Sequence, residues 1–70
     1  MQKYITVFVN GEPFNCKHTI CLQDLLLYLN FNLSAIVVEY NKEIISMSRL
    51  CNIFLRMNDL VEVITIVGGG

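Results

Sequence analysis

Residues 3–9 alternate, with Ile5, Val7 and Val9 on one side and Tyr4, Thr6 and Phe8 on the other. This period of two predicts a half-buried strand. Asn10-Gly11 follows, and a type I′ turn, which needs positive φ at both central residues, favours that pair. A return strand over 12–18 is more polar and carries Pro13, which suits a strand start or a sheet edge. Over 19–30 the period changes, and Leu22, Leu25, Leu26 and Leu29 take the i, i+3, i+4 and i+7 positions of one helix face. Asp24 in the first turn complements the helix dipole and Asn30 can close the other end. Cys21 stands where an N-cap Ser or Thr is usual, so the helix should start poorly capped.

A third strand over 35–40, a tight turn at Asn41-Lys42 and a brief strand over 43–45 come next. Residues 46–56 are irregular, with Leu50, Ile53 and Leu55 expected to tuck under the sheet. Met57-Asn58-Asp59 then turns the chain into the last strand, residues 60–67. Its Val, Ile and Thr suit a pleated surface, and its near-continuous apolar character suits a parallel partner at the sheet centre. Hairpin, helix, two short strands, long connection and final strand is the order of an α+β, ubiquitin-like β-grasp. The expected sheet is mixed, with four to five strands and one helix packed across it. Residues 1–67 form the expected domain, and 68–70 a flexible C-terminal glycine tail.

Composition narrows the function. Seventy residues with a hydrophobic fraction of 54% make one small domain with a thin core. A formal charge of −1 and the lack of any basic run argue against nucleic acid. No apolar run reaches the roughly 20 residues of a spanning helix. The N-terminus enters strand-like sequence directly, so no signal or transit peptide is expected. Cys16, Cys21 and Cys51 are odd in number and irregularly spaced, which fits a reducing compartment such as cytoplasm or plastid stroma. His18 is the sole histidine, and no Ser-His-Asp or paired-carboxylate pattern stands out, so the chain is not expected to be an enzyme. Cys16, His18, Cys21 and Cys51 lack C-x-x-C spacing, which argues against a metal site and for a half-buried thiol beside an exposed histidine. Cys21 is taken as an incidental substitution and the outward Leu27 and Tyr28 as packing against loops. The abundance of Ile and Asn fits an AT-rich coding sequence.

The chain resembles the ThiS family along its whole length. The resemblance rests on Val9-Asn10-Gly11-Glu12-Pro13, Asp24-Leu25-Leu26, Val37-Val38-Glu39-Tyr40-Asn41, and Asn58-Asp59-Leu60-Val61-Glu62-Val63 leading to Val67-Gly68-Gly69-Gly70. It implies a sulfur carrier for thiamine thiazole biosynthesis that is a substrate, not a catalyst, and binds no cofactor itself. A ThiF-type adenylating enzyme would use ATP to activate the Gly70 carboxylate. A persulfide would then convert it to a thiocarboxylate, and thiazole synthase ThiG would take up the sulfur. Gly69 completes the diglycine and Gly68 extends the tail. The residue types fit, since a Cβ at the last positions would hinder approach and restrict φ. Cys21 in place of a capping Ser or Thr, and an uncharged 46–57 loop, depart from the family pattern. The alternatives are the related carrier MoaD, the small subunit of molybdopterin synthase, a ubiquitin-like protein modifier, and a β-grasp interaction module.

Alternation also predicts a docking surface. With Val61, Val63, Thr65 and Val67 facing the core, Glu62, Ile64 and Ile66 face outward. Tyr4, Phe8, Val37, Ile64 and Ile66 are then expected together on the open sheet face beside the tail, as a contiguous apolar patch for partner enzymes.

Overall fold

Asn10 and Gly11 adopt φ of 51° and 84°, the positive pair a type I′ turn demands, and the N-terminal hairpin closes around them. The computed structural model describes residues 3–66. In it β1 (Tyr4–Val9) runs antiparallel to β2 (Glu12–Lys17), with Tyr4 opposite Lys17 and Val9 opposite Glu12. The helix α1 spans Leu22–Tyr28, shorter than the expected 19–30. The reason lies upstream of it, where the Ile20 carbonyl accepts from Leu55 N–H at 3.1 Å and Leu22 N–H donates to Ile53 at 2.7 Å. These contacts hold Cys21 extended, at φ −94° and ψ 164°, with no side-chain cap. Asn30 ends the helix at φ 69°. Its N–H donates to Leu27 and that of Phe31 donates to Leu26, both at 3.0 Å, the paired bonds of a Schellman closure.

A 3₁₀ turn at Leu33–Ala35 leads into β3 (Ile36–Tyr40). Asn41 and Lys42, at φ 50° and 73°, make a second tight turn into β4 (Glu43–Ile45). The connection read as irregular contains another 3₁₀ segment, Met47–Asn52, before β5 (Leu60–Thr65). The sheet has five strands in the order β2-β1-β5-β3-β4. β1 and β5 are parallel at its centre, as expected, and every other pair is antiparallel.

The helix covers one face only. Val7, Val9, Val38, Ile45, Val61 and Val63 meet Leu22, Leu25 and Leu26 of the helix, and Leu50 and Leu55 of the connection close the layer. Burying each of these contributes about 2 kcal/mol. Ile53 is partly buried against them. Thr65, expected in the core, is exposed, because β5 runs on past the end of β1. Leu27 and Tyr28 do not pack against loops and are 49% and 79% exposed. Tyr28 borders a groove of about 280 Å³ that it shares with Phe14, Cys16 and Ile20.

A single buried carboxylate fixes where β5 enters. Asp59, 7% exposed, accepts from Tyr40 Oη at 2.5 Å, Arg56 N–H at 2.7 Å and Asn41 Nδ2 at 3.2 Å. Its own carbonyl accepts from Phe8 N–H at 2.9 Å. Asn41 reinforces the junction by accepting from Leu60 N–H through Oδ1 at 2.8 Å. Asp59→Ala removes the acceptor from three donors, so unfolding free energy should drop by about 3 kcal/mol, read from the denaturant midpoint. Asp59→Asn keeps one carbonyl acceptor and should lose less.

The same junction predicts a pH response. Burial, the hydrogen bond to Asp59 and the Asp59 charge push the Tyr40 phenol from 10.0 up to about 12. A raised folded value favours the protonated, folded form. Its contribution is therefore complete below pH 10 and lost as pH rises through about 12. Phenolate absorbance should show one late tyrosine that Tyr40→Phe removes, and the variant's stability should lack the matching alkaline decline.

Candidate functional site

The uncovered sheet face is the side of the domain that α1 leaves bare. Register places its members. Phe8 lies beside Leu60 on the parallel neighbour and opposite Pro13 on the hairpin partner. Val37 lies opposite Ile64, and Glu39 sits between Glu62 and Ile44. The ladder continues beyond β5, where Ile66 N–H donates to the Ala35 carbonyl at 2.8 Å. Ile66 therefore follows Ile64 on this face.

The five residues expected here share the face but are not all neighbours. Val37, Ile64 and Ile66 cluster where β3 and β5 run toward residue 67. Phe8 lies back along β5, at the level of Leu60. Tyr4 is four residues further back, paired with Lys17, so it stands roughly 26 Å from Ile64 along the strands. The expectation of one patch beside the tail is corrected on this point: parallel pairing puts the start of β1 at the far end of the sheet from the end of β5.

Two apolar members were missed. Leu60 and Ile44 are 43% and 66% exposed. Both were legible, Leu60 from the parity of Glu62 and Ile64, and Ile44 from the two-residue turn that sets it opposite Glu39. Glu39 and Glu62 face each other directly across β3 and β5. Like charges in that position repel, so two carboxylates stand together among the apolar residues that β3 and β5 place on this face.

Gly68, Gly69 and Gly70, with Val67, lie outside the described residues. The segment leading to them is described, and it is held on two sides. β3 pairs with it as far as Ile36 opposite Thr65. On the other side the β1 ladder stops at Val9–Val61, and the next donor, Val63 N–H, is taken by the Asn10 side chain through Oδ1 at 2.7 Å.

The thiols and the histidine are scattered. Cys16 is half-buried on β2, and burial raises its thiol above the usual value of 9.0. Cys21 is buried at the helix start and Cys51 is exposed on the 3₁₀ segment. His18 is exposed, with Nδ1 3.3 Å from the Lys3 carbonyl. Among the described residues no three His, Cys, Asp or Glu side chains gather as metal ligands, and no helix is long and apolar enough to cross a membrane.

A five-stranded mixed sheet with a parallel central pair and one helix across it defines a ubiquitin-like β-grasp protein. The crystal structure of thiamine biosynthesis protein ThiS from Geobacter metallireducens superposes with a TM-score of 0.80. It is 25% identical and is matched over 94% of this chain and 100% of its own. The model of the ThiS family matches residues 7–70. The sulfur carrier protein ThiS of Bacillus subtilis is 39% identical, over 89% of this chain and 96% of its own. An uncharacterised protein, ycf40, of Porphyra purpurea is 43% identical over 100% and 99%. A thiazole synthase of Magnetococcus marinus is 34% identical over 91% of this chain but only 20% of its own length. The chain belongs to the ThiS family of small sulfur carriers.

Proposed function

We propose that the chain carries sulfur on the carboxylate of Gly70 for formation of the thiamine thiazole ring. The observation that carries this reading is the family match, which runs through residue 70 and so takes in the glycine end. A carboxylate is a poor electrophile, so it must be activated before sulfur can replace oxygen. Its oxygen attacks the α-phosphate of ATP at an adenylating enzyme of the ThiF type, and pyrophosphate leaves. The terminal sulfur of a protein persulfide then attacks the acyl carbon and AMP departs. Cleavage of the resulting S–S bond by a thiol leaves the thiocarboxylate. Three glycines at positions 68–70 put no Cβ beside that carbon, which lets successive enzymes reach it.

The receiving partner is thiazole synthase. A relative bearing that name contains a segment similar to 91% of this chain within its own, and such a fusion keeps donor and acceptor at high effective concentration. Both partners dock in turn on the open face through Val37, Ile64 and Ile66, with Leu60, Phe8 and Ile44 extending the contact. A cationic side chain on the partner suits the Glu39–Glu62 pair. Tyr4, at the opposite end, lies outside the tail-proximal contact. Nothing in this scheme requires a catalytic side chain or a bound cofactor on the carrier.

Intact mass tests the chemistry. Incubation with a ThiF-type enzyme, ATP and a persulfide source should shift a fraction of the protein by one oxygen-to-sulfur exchange, located in the terminal peptide. A chain lacking Gly70 should not shift, and an unmoved mass in the full chain would overturn the carrier reading. Higher-mass conjugates to lysines would instead favour a protein modifier. Ile64→Lys tests the face. Ile64 is 54% exposed, so the melting temperature should hold within a few degrees, while affinity for either partner should fall by about tenfold or more.

A further inference from the structure

We infer that Asn10 is a positioning residue for the carrier's C-terminal segment, its side chain serving as the strand that β1 does not supply. The inference rests on the proposed carrier reading for its functional consequence, and on geometry for the anchor itself. β5 alternates its backbone groups. Those of Leu60, Glu62 and Ile64 turn toward β3, while those of Val61 and Val63 turn toward β1. The β1 side is made by Phe8 N–H to the Asp59 carbonyl at 2.9 Å and Asn10 N–H to the Val61 carbonyl at 2.8 Å. At that point the type I′ turn takes the chain away into β2. Val63 N–H, the next donor, would face a gap.

Asn10 fills the gap with its side chain, accepting from Val63 N–H through Oδ1 at 2.7 Å in a partly buried setting. One residue thus contributes a backbone donor to Val61 and a side-chain acceptor to Val63. Val63 is 8% exposed and closes the core row of β5. Thr65 and Ile66 beyond it are exposed, and among the described residues their backbone pairing runs along β3 and Ala35. Among the described residues Asn10 therefore makes the last hydrogen bond to β5 from the β1 side. It sets the direction in which β5 leaves the domain.

A carrier whose last strand is held in line presents its terminus with less conformational freedom left to lose at the enzyme. Loss of the anchor should then weaken productive engagement without altering the acyl chemistry, which is the signature of a raised KM at unchanged kcat.

Two substitutions separate anchor from turn. Asn10→Gly keeps the positive φ that the turn needs and removes the side-chain acceptor. Asn10→Asp keeps an acceptor in nearly the same place and tolerates the left-handed conformation. Each is assayed in the full-length chain by ATP–pyrophosphate exchange with a ThiF-type enzyme, and by amide hydrogen exchange of the carrier alone at a temperature where it is folded. In Asn10→Gly, the Val63 and Ile66 amides should lose protection while those of Val7 and Val38 keep it. The KM for carrier should rise by about tenfold with kcat near wild type, and Asn10→Asp should restore both readouts. Unchanged protection at Val63 in Asn10→Gly overturns the anchor, and lost protection with an unchanged KM overturns the positioning role. If the wild-type chain supports no pyrophosphate exchange, the carrier reading itself has failed, and amide exchange alone then decides whether Asn10 holds the strand.

Discussion

The carboxylate of Asp59 is the point on which the sheet closes. β5 has to enter between β1 and β3, its parallel and antiparallel neighbours, after a connection that begins at the far edge of the sheet. Asp59 fixes that entry. Its side chain takes donors from the end of β3, from the β3–β4 turn and from the preceding loop, and its backbone starts the parallel ladder with Phe8. A buried carboxylate is tolerated only where its lone pairs are occupied, and here three donors occupy them. The long-range parallel pairing has the highest closure entropy in the fold. An electrostatically specified junction at its first residue restricts how the strand can be misplaced.

The open face follows from size. Seventy residues provide one helix and one connection, enough to cover one side of a five-stranded sheet and no more. A domain of this kind must either make its second face polar or keep it for binding. Here β5 carries Leu60, Ile64 and Ile66 outward and β3 carries Val37, while the charged residues among them, Glu39 and Glu62, are of like sign and face each other. Neither burial nor local electrostatics in the lone domain accounts for that choice. The docking role proposed for this face would account for it, since a partner there would cover the apolar rows and supply positive charge.

The fold was legible because period and turn chemistry agreed along the chain. Alternation placed β1, Asn10-Gly11 named the turn into β2, β-branched and near-continuous apolar content marked β5, and the Leu22-Leu25-Leu26-Leu29 row placed the helix. The helix limits were not legible. Residues 19–21 carry no signal that they will bond to residues 53–55 rather than extend the helix, since that contact exists only in three dimensions. The role of Asp59 was hidden for the same reason, because an Asn-Asp pair before a strand reads equally as a solvated turn. The five residues expected together do share the open face, but Tyr4 lies at its far end. Parity follows from sequence, whereas the offset between β1 and β5 depends on where the Asp59 junction sets the parallel register.

Asparagine shows how composition can mislead and then inform. Its abundance looked like a coding bias, yet Asn10, Asn30, Asn41 and Asn58 all sit at positive φ, between 50° and 70°. There they perform turns that glycine would otherwise make. Glycine at these places would satisfy the backbone equally well and would lose more entropy on folding. It would also lack the amide. The Asn41 amide bonds both Asp59 and Leu60, and that of Asn10 bonds Val63. These two turns therefore act as connectors to β5, at its entry and near its exit. Glycine is concentrated instead at 68–70, where the proposed carrier role is served by the lack of a Cβ. Among the described residues the left-handed positions thus fall largely to asparagine, and at Asn10 and Asn41 the turn that asparagine permits also holds the last strand.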